Sequence, residues 1–108
     1  MKILFDTNTP AALAHFLKGH HVTRATQMGW AALTNGTLLD VAENEGFDVL
    51  VTCDQNIRYR QNFTDRHIAV PILSTNHWPT MRPFAAKIAS AVDFVHRGAV
   101  VRLDLRKL

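Results

Sequence analysis

Asp48-Val49-Leu50-Val51-Thr52-Cys53-Asp54 is the stretch on which the fold turns. Val49 to Val51 run apolar with no polar residue between them, as a strand covered on both faces must. Gly46 ends a helix just before it, and Asp54 closes it with a carboxylate. Reading upstream, a helix is expected from Thr37 to Glu45, with Leu38, Leu39 and Ala42 inward, after the turn pair Asn35-Gly36 and a loop from Ala25. Lys2 to Phe5 reads as a first strand ending at Asp6. Thr9 is the expected N-cap of the helix that follows, with Pro10 at its first position, Leu13, Phe16 and Leu17 on one face, and Gly19 as its stop. His21 to Thr23 is a weak second strand. Reading downstream, residues 56–63 form a short helix or turn, and Ile68 to Leu73 a fourth strand in which Pro71 points to an edge or a bulge. Met81, Phe84, Ala85, Ile88, Val92 and Val95 share a helical face, with Pro83 in its first turn and Gly98 as its end. Ala99 to Leu103 closes the chain as a fifth strand. The alternation predicts one α/β domain over residues 1–108, a three-layer sandwich of about five mostly parallel strands with helices on both faces.

Composition agrees with a packed domain. The chain has 108 residues, of which 47% are hydrophobic and 19% charged, enough to build a core and too little charge for a disordered segment. Twelve Lys plus Arg against nine Asp plus Glu leave +3, a mild preference for polyanions. A single cysteine, Cys53, excludes an internal disulfide and a Cys-rich zinc site and fits a reducing compartment. No run approaches the ~20 apolar residues of a membrane helix, and Asp6 interrupts the only apolar run near the start. A soluble, cytoplasmic protein without a membrane partner is the expectation.

Chemistry is expected where the strands end. Open α/β sheets bind ligands at the carboxyl ends of their strands. Asp6 follows the first strand and Asp54 the third, and both stand in the pattern Asp-x-Asn, with Asn8 and Asn56. Each Asp alone could be a helix cap. Two on neighbouring strands repel unless a cation lies between them, and oxygen-only ligands favour Mg²⁺ or Mn²⁺. Each Asn could ligate through water or cap the next helix.

Immediately after Asp54 comes Asn56-Ile57-Arg58-Tyr59-Arg60-Gln61-Asn62, with Arg66 close behind. Arginine clamps phosphate through its fork and tyrosine stacks on unpaired bases, the two devices that hold single-stranded nucleic acid. A plain solvated face is the competing reading of the same residues.

Three blocks together resemble a known family. They are Ile3-Leu4-Phe5-Asp6-Thr7-Asn8-Thr9-Pro10, Asn35-Gly36-Thr37-Leu38-Leu39, and Gly46-Phe47-Asp48-Val49-Leu50-Val51-Thr52-Cys53-Asp54-Gln55-Asn56-Ile57-Arg58-Tyr59. In order and spacing they resemble the short, single-domain branch of the PIN-like proteins, relatives of the PIN-domain ribonuclease toxins of bacterial toxin–antitoxin pairs. The resemblance implies a parallel α/β domain that holds Mg²⁺ or Mn²⁺ at its strand ends and cleaves RNA. It also implies a small cognate antitoxin protein as partner. The chain departs from the family at Thr37, where such sites carry a further acid. Asp40 and Glu43 follow in the same helix but point poorly for that role.

The resulting expectation is a metal-dependent ribonuclease, the toxin of a type II pair. Asp6 and Asp54 hold the metal, Asn8 and Asn56 orient ligands or water, and Thr37 contacts substrate. Arg58, Tyr59, Arg60 and Arg66 hold RNA. The alternative is a catalytically inert PIN-like module that binds protein or RNA, and a homodimer is open in either case. A phosphoryl-accepting receiver domain is the rival fold of similar size, but Leu103-Asp104-Leu105 stands where its lysine is required.

Overall fold

The computed structural model describes residues 1–108. Five strands alternate with helical segments: β1 (Lys2–Phe5), β2 (His21–Arg24), β3 (Val49–Val51), β4 (Val70–Leu73) and β5 (Val100–Leu103). The helices are α1 (Asn35–Asn44), α2 (Ile57–Arg60), α3 (Trp78–Met81) and α4 (Ala85–Asp93), joined by short 3-10 segments. Every strand pairing is parallel. One sheet has the order β2-β1-β3, with Ile3 opposite both Val22 and Val49; the other pairs β4 with β5, with Val70 opposite Val100.

The two sheets meet between β3 and β4, and Pro71 explains why they count as two. Ala69 N–H donates to Asp48 O at 2.9 Å and Leu73 N–H to Thr52 O at 2.8 Å, on the side of β4 that faces β3. Position 71 faces the same way, and proline has no N–H to give. The seam therefore keeps only isolated bridges, Val49 with Ala69 and Thr52 with Ile72. The edge expected at Pro71 is this seam, and β4 is flanked on both sides.

Successive strand residues alternate between two apolar clusters. Ile3, Phe5, Val49 and Val51 join Leu13, Leu17, Ile88 and Val92, while Leu4, Leu50, Val70 and Ile72 join Leu38, Leu39, Ala42 and Ile57. β1 and β3 are thus buried from both sides, which is why their sequences are continuously apolar. Truncating the fully buried Leu50 to Ala is expected to cost about 2–5 kcal/mol.

Several local expectations need correction. The helix after β1 is a 3-10 segment, Ala11–Phe16, and Thr9 does not cap it. Thr9 Oγ1 instead lies 2.7 Å from Asp6 Oδ1 and 2.9 Å from Val51 O, so its one proton serves the sheet end. Residues expected as loop include the 3-10 segment Ala25–Met28, closed by Gly29 in the left-handed conformation. Asn35-Gly36 is no turn but the opening of α1, with Thr34 before it. The long C-terminal helix begins earlier, at Trp78, and tightens to 3-10 geometry over Arg82–Phe84. Pro83 causes that break by withholding a helical N–H. Trp78 is accordingly a helix residue, packed against Phe16 with ring centroids 6.0 Å apart.

Candidate functional site

The chain leaves β1 towards β2 on one side and β3 towards β4 on the other, so the β1/β3 junction is the switch point of strand order. Asp6 and Asp54 follow those two strands. Both Asp-x-Asn segments fold alike. Asn8 N–H donates to Asp6 Oδ1 at 3.2 Å, and Asn56 N–H donates to Asp54 Oδ1 at 2.9 Å. These are Asx turns, in which the carboxylate accepts the N–H two residues on. Neither Asp caps a helix, and the exposed Asn side chains make no capping bond.

Asp6 is the more heavily engaged carboxylate. Its Oδ1 also accepts Thr9 N–H at 3.0 Å, and its Oδ2 accepts the hydroxyl of Thr52. The residue is only 9% exposed, so this cage replaces the water it gave up. Asp54 is half-buried and less crowded. Oδ1 holds the Asn56 N–H alone, and Oδ2 accepts only Asn35 Nδ2. Asn35 is a site residue that the sequence pattern did not reveal. It stands at the first position of α1.

Gly36 brings α1 close to the basic segment. A Cβ there would come within 3.0 Å of Gln61 Oε1, at the end of α2. Buried Ile57 anchors α2 in the core, while Arg58, Tyr59 and Arg60 face outward. Tyr59 is 72% exposed, and the Arg58 guanidinium lies 4.9 Å from its ring centroid. An exposed aromatic and two free cations thus follow Asp54 within six residues.

Arg66 departs from this group. Its Nη2 lies 2.8 Å from Asp40 Oδ1 and its Nη1 3.1 Å from Glu43 Oε1, so its fork faces α1. The same pairs engage one oxygen each of Asp40 and Glu43. Thr37 is exposed, its Oγ1 within 3.3 Å of Thr34 Oγ1. No group of three or more His, Cys, Asp or Glu converges in the chain.

Two further residues stiffen this end of the sheet. Gln55 Nε2 donates to Leu73 O at 2.6 Å and Cys53 O at 3.0 Å, while its Oε1 accepts Arg102 Nε at 2.9 Å. Three strand ends are tied by one side chain. The Cys53 thiol is pushed up from 9.0 to about 12, by burial first and by the Asp6 charge second. It stays protonated at neutral pH and is no nucleophile. No family model, curated protein or solved structure matches the chain.

Proposed function

We propose that the chain is a PIN-like three-layer α/β domain and a metal-dependent endoribonuclease, the toxin partner of a small antitoxin in the bacterial cytoplasm. The observation that carries this reading is the placement of Asp6 and Asp54 at the switch point, with the exposed Arg58-Tyr59-Arg60 segment directly following. The donor set suits a hard cation. It is made of oxygens, and each Asp54 oxygen accepts a single N–H and keeps a lone pair free.

In this reading Asp6 and Asp54 hold Mg²⁺ or Mn²⁺. The ion supplies charge neutralisation at the phosphodiester and acidifies the attacking water. Asn35 keeps the Asp54 carboxylate oriented, as outer-sphere partners of metal ligands do. Arg58 and Arg60 take backbone phosphates and Tyr59 stacks on an unpaired base. Asn8, Asn56 and Thr37 are exposed, and in this reading they contact water or substrate.

A second reading, an inert PIN-like binding module, is favoured by one observation: both oxygens of the buried Asp6 carboxylate already have donors from within the chain, three of them at Oδ1. Melting with and without millimolar Mn²⁺ separates the two, because a ligand of the folded state stabilises it by mass action. The nuclease reading expects a rise in Tm for wild type that Asp54→Ala abolishes. No rise, or an equal rise in the variant, favours the inert module.

A further inference from the structure

A pocket of about 240 Å³ opens at the carboxyl ends of β4 and β5, the end of the sheet that also carries Asp6 and Asp54. Its apolar lining is Phe84 and Leu105, which belong to the other apolar cluster from Ile57 of α2. Its ionisable side chains are Arg102, Arg106 and Asp104. Asp104 Oδ2 lies 3.6 Å from Arg102 Nη1 and 3.4 Å from Arg106 Nη2. One carboxylate thus faces two guanidiniums, and one positive charge is left over. Two hydroxyls complete the polar wall. Ser74 Oγ accepts Leu105 N–H at 3.1 Å, and Thr75 Oγ1 accepts His77 N–H at 3.1 Å. Neither hydroxyl donates within the chain, so both protons are open to a guest.

Guanidinium forks and hydroxyl protons are the donors that complement the oxygens of a phosphate. The pocket is smaller than the ~300–1,000 Å³ of a drug-sized ligand's site, so it suits one such group and not a whole nucleotide. It is also tied to the candidate site. Gln55, next to Asp54 in the chain, accepts Arg102 Nε at 2.9 Å through its Oε1. We propose that this pocket binds a phosphate group and that an RNA strand supplies it. A strand held at α2 then has a second anchor at the ends of β4 and β5. The phosphate chemistry follows from the pocket alone, whereas the strand as its source rests on the nuclease reading.

The test has two arms, both on the full chain. Inorganic phosphate, titrated at fixed ionic strength, should give saturable backbone amide NMR shifts at Ser74, Thr75 and Leu105. Arg102→Gln with Arg106→Gln should weaken phosphate at least ~10-fold, the scale of a lost charge-assisted hydrogen bond. Arg106→Gln alone, at a side chain 87% exposed, leaves the fold intact and should weaken it in the same direction. Arg97→Gln, the same loss of charge outside the pocket lining, leaves phosphate binding unchanged. An absence of saturable shifts, or variants at Arg102 and Arg106 that bind phosphate like wild type, overturns the site. In the second arm, single-stranded RNA without divalent metal should move the same amides. Arg106→Gln should then lower the slope of log affinity against log salt by ~0.7, one phosphate contact. RNA that binds but leaves these amides and that slope unchanged overturns the strand as the source. If wild type binds no RNA while phosphate saturates the pocket, the strand falls together with the nuclease reading and the phosphate site stands.

Discussion

The Thr52 hydroxyl donates to Asp6 Oδ2 and in turn accepts the backbone N–H of Asp54 at 3.1 Å. One fully buried side chain at the end of β3 thus sets the carboxylate of one Asx turn and the backbone of the other. The site is built from the sheet outward, and its two acids are not independent.

Thr52→Val keeps the shape and removes both bonds. It leaves one oxygen of a buried carboxylate short of its donor, so a loss of about 1–3 kcal/mol is expected from chemical denaturation. Thr52→Ser should recover most of it. A Val variant as stable as wild type contradicts the coupling.

Asp6 and Asp54 should respond differently to loss of charge. Asp6 accepts from Asn8 N–H, Thr9 N–H, Thr9 Oγ1 and Thr52 Oγ1, whereas Asp54 accepts from Asn56 N–H and Asn35. Asp6→Asn is therefore expected to destabilise by about 2–3 kcal/mol and Asp54→Asn by less than about 1 kcal/mol. Equal losses in denaturant titrations would remove the distinction between a structural and a free carboxylate.

Cys53 provides a pH signature. Its thiol loses a proton at 9.0 in the unfolded chain and at about 12 when folded. The unfolded state holds fewer protons across that window, so stability falls as pH rises from 9.0 towards about 12. Cys53→Ala should flatten that part of the slope relative to wild type. Near pH ~8 the folded thiol should also react with a disulfide reagent far more slowly than the denatured one. Matching rates would mean that the thiol is open.

Arg58 and Arg60 are expected to meet phosphate. Replacing both by Ala should weaken single-stranded RNA alike for all sequences and lower the slope of log affinity against log salt by roughly 1–2, at ~0.7 per contact. An unchanged slope would place α2 against a protein partner and not against RNA.

How far the sequence could be read depended on the range of each interaction. β3 was legible because burial on both faces leaves an apolar run, and the repeated Asp-x-Asn picked out the two carboxylates. The use of that repeat was not legible, since the Asn backbone N–H and not its side chain closes each turn. Periodicity carried α4 but put Pro83 in its first turn, whereas the helical run starts at Trp78 and Pro83 splits it although the apolar spacing continues through it. Contacts across long separations left no local signal. Asn35 reaches Asp54 across 19 residues, and Arg66 reaches Asp40 and Glu43 across 26 and 23. Arg66 therefore looked like one more free cation beside Arg58 and Arg60. Gly36, quoted as a turn residue, is where α1 lets Gln61 approach.

The measurement closest to the central claim is cleavage of single-stranded RNA in Mg²⁺ or Mn²⁺ by wild type and by Asp54→Asn. The variant keeps the shape of the Asx turn but loses the charge that would hold the cation, so it should stay folded and bind RNA. Its cleavage should fall by at least ~100-fold, the scale on which losing one electrostatic group costs a site. Chelator-resistant cleavage, or an Asp54→Asn variant that cleaves like wild type, would contradict a metal-dependent nuclease at the β1/β3 junction.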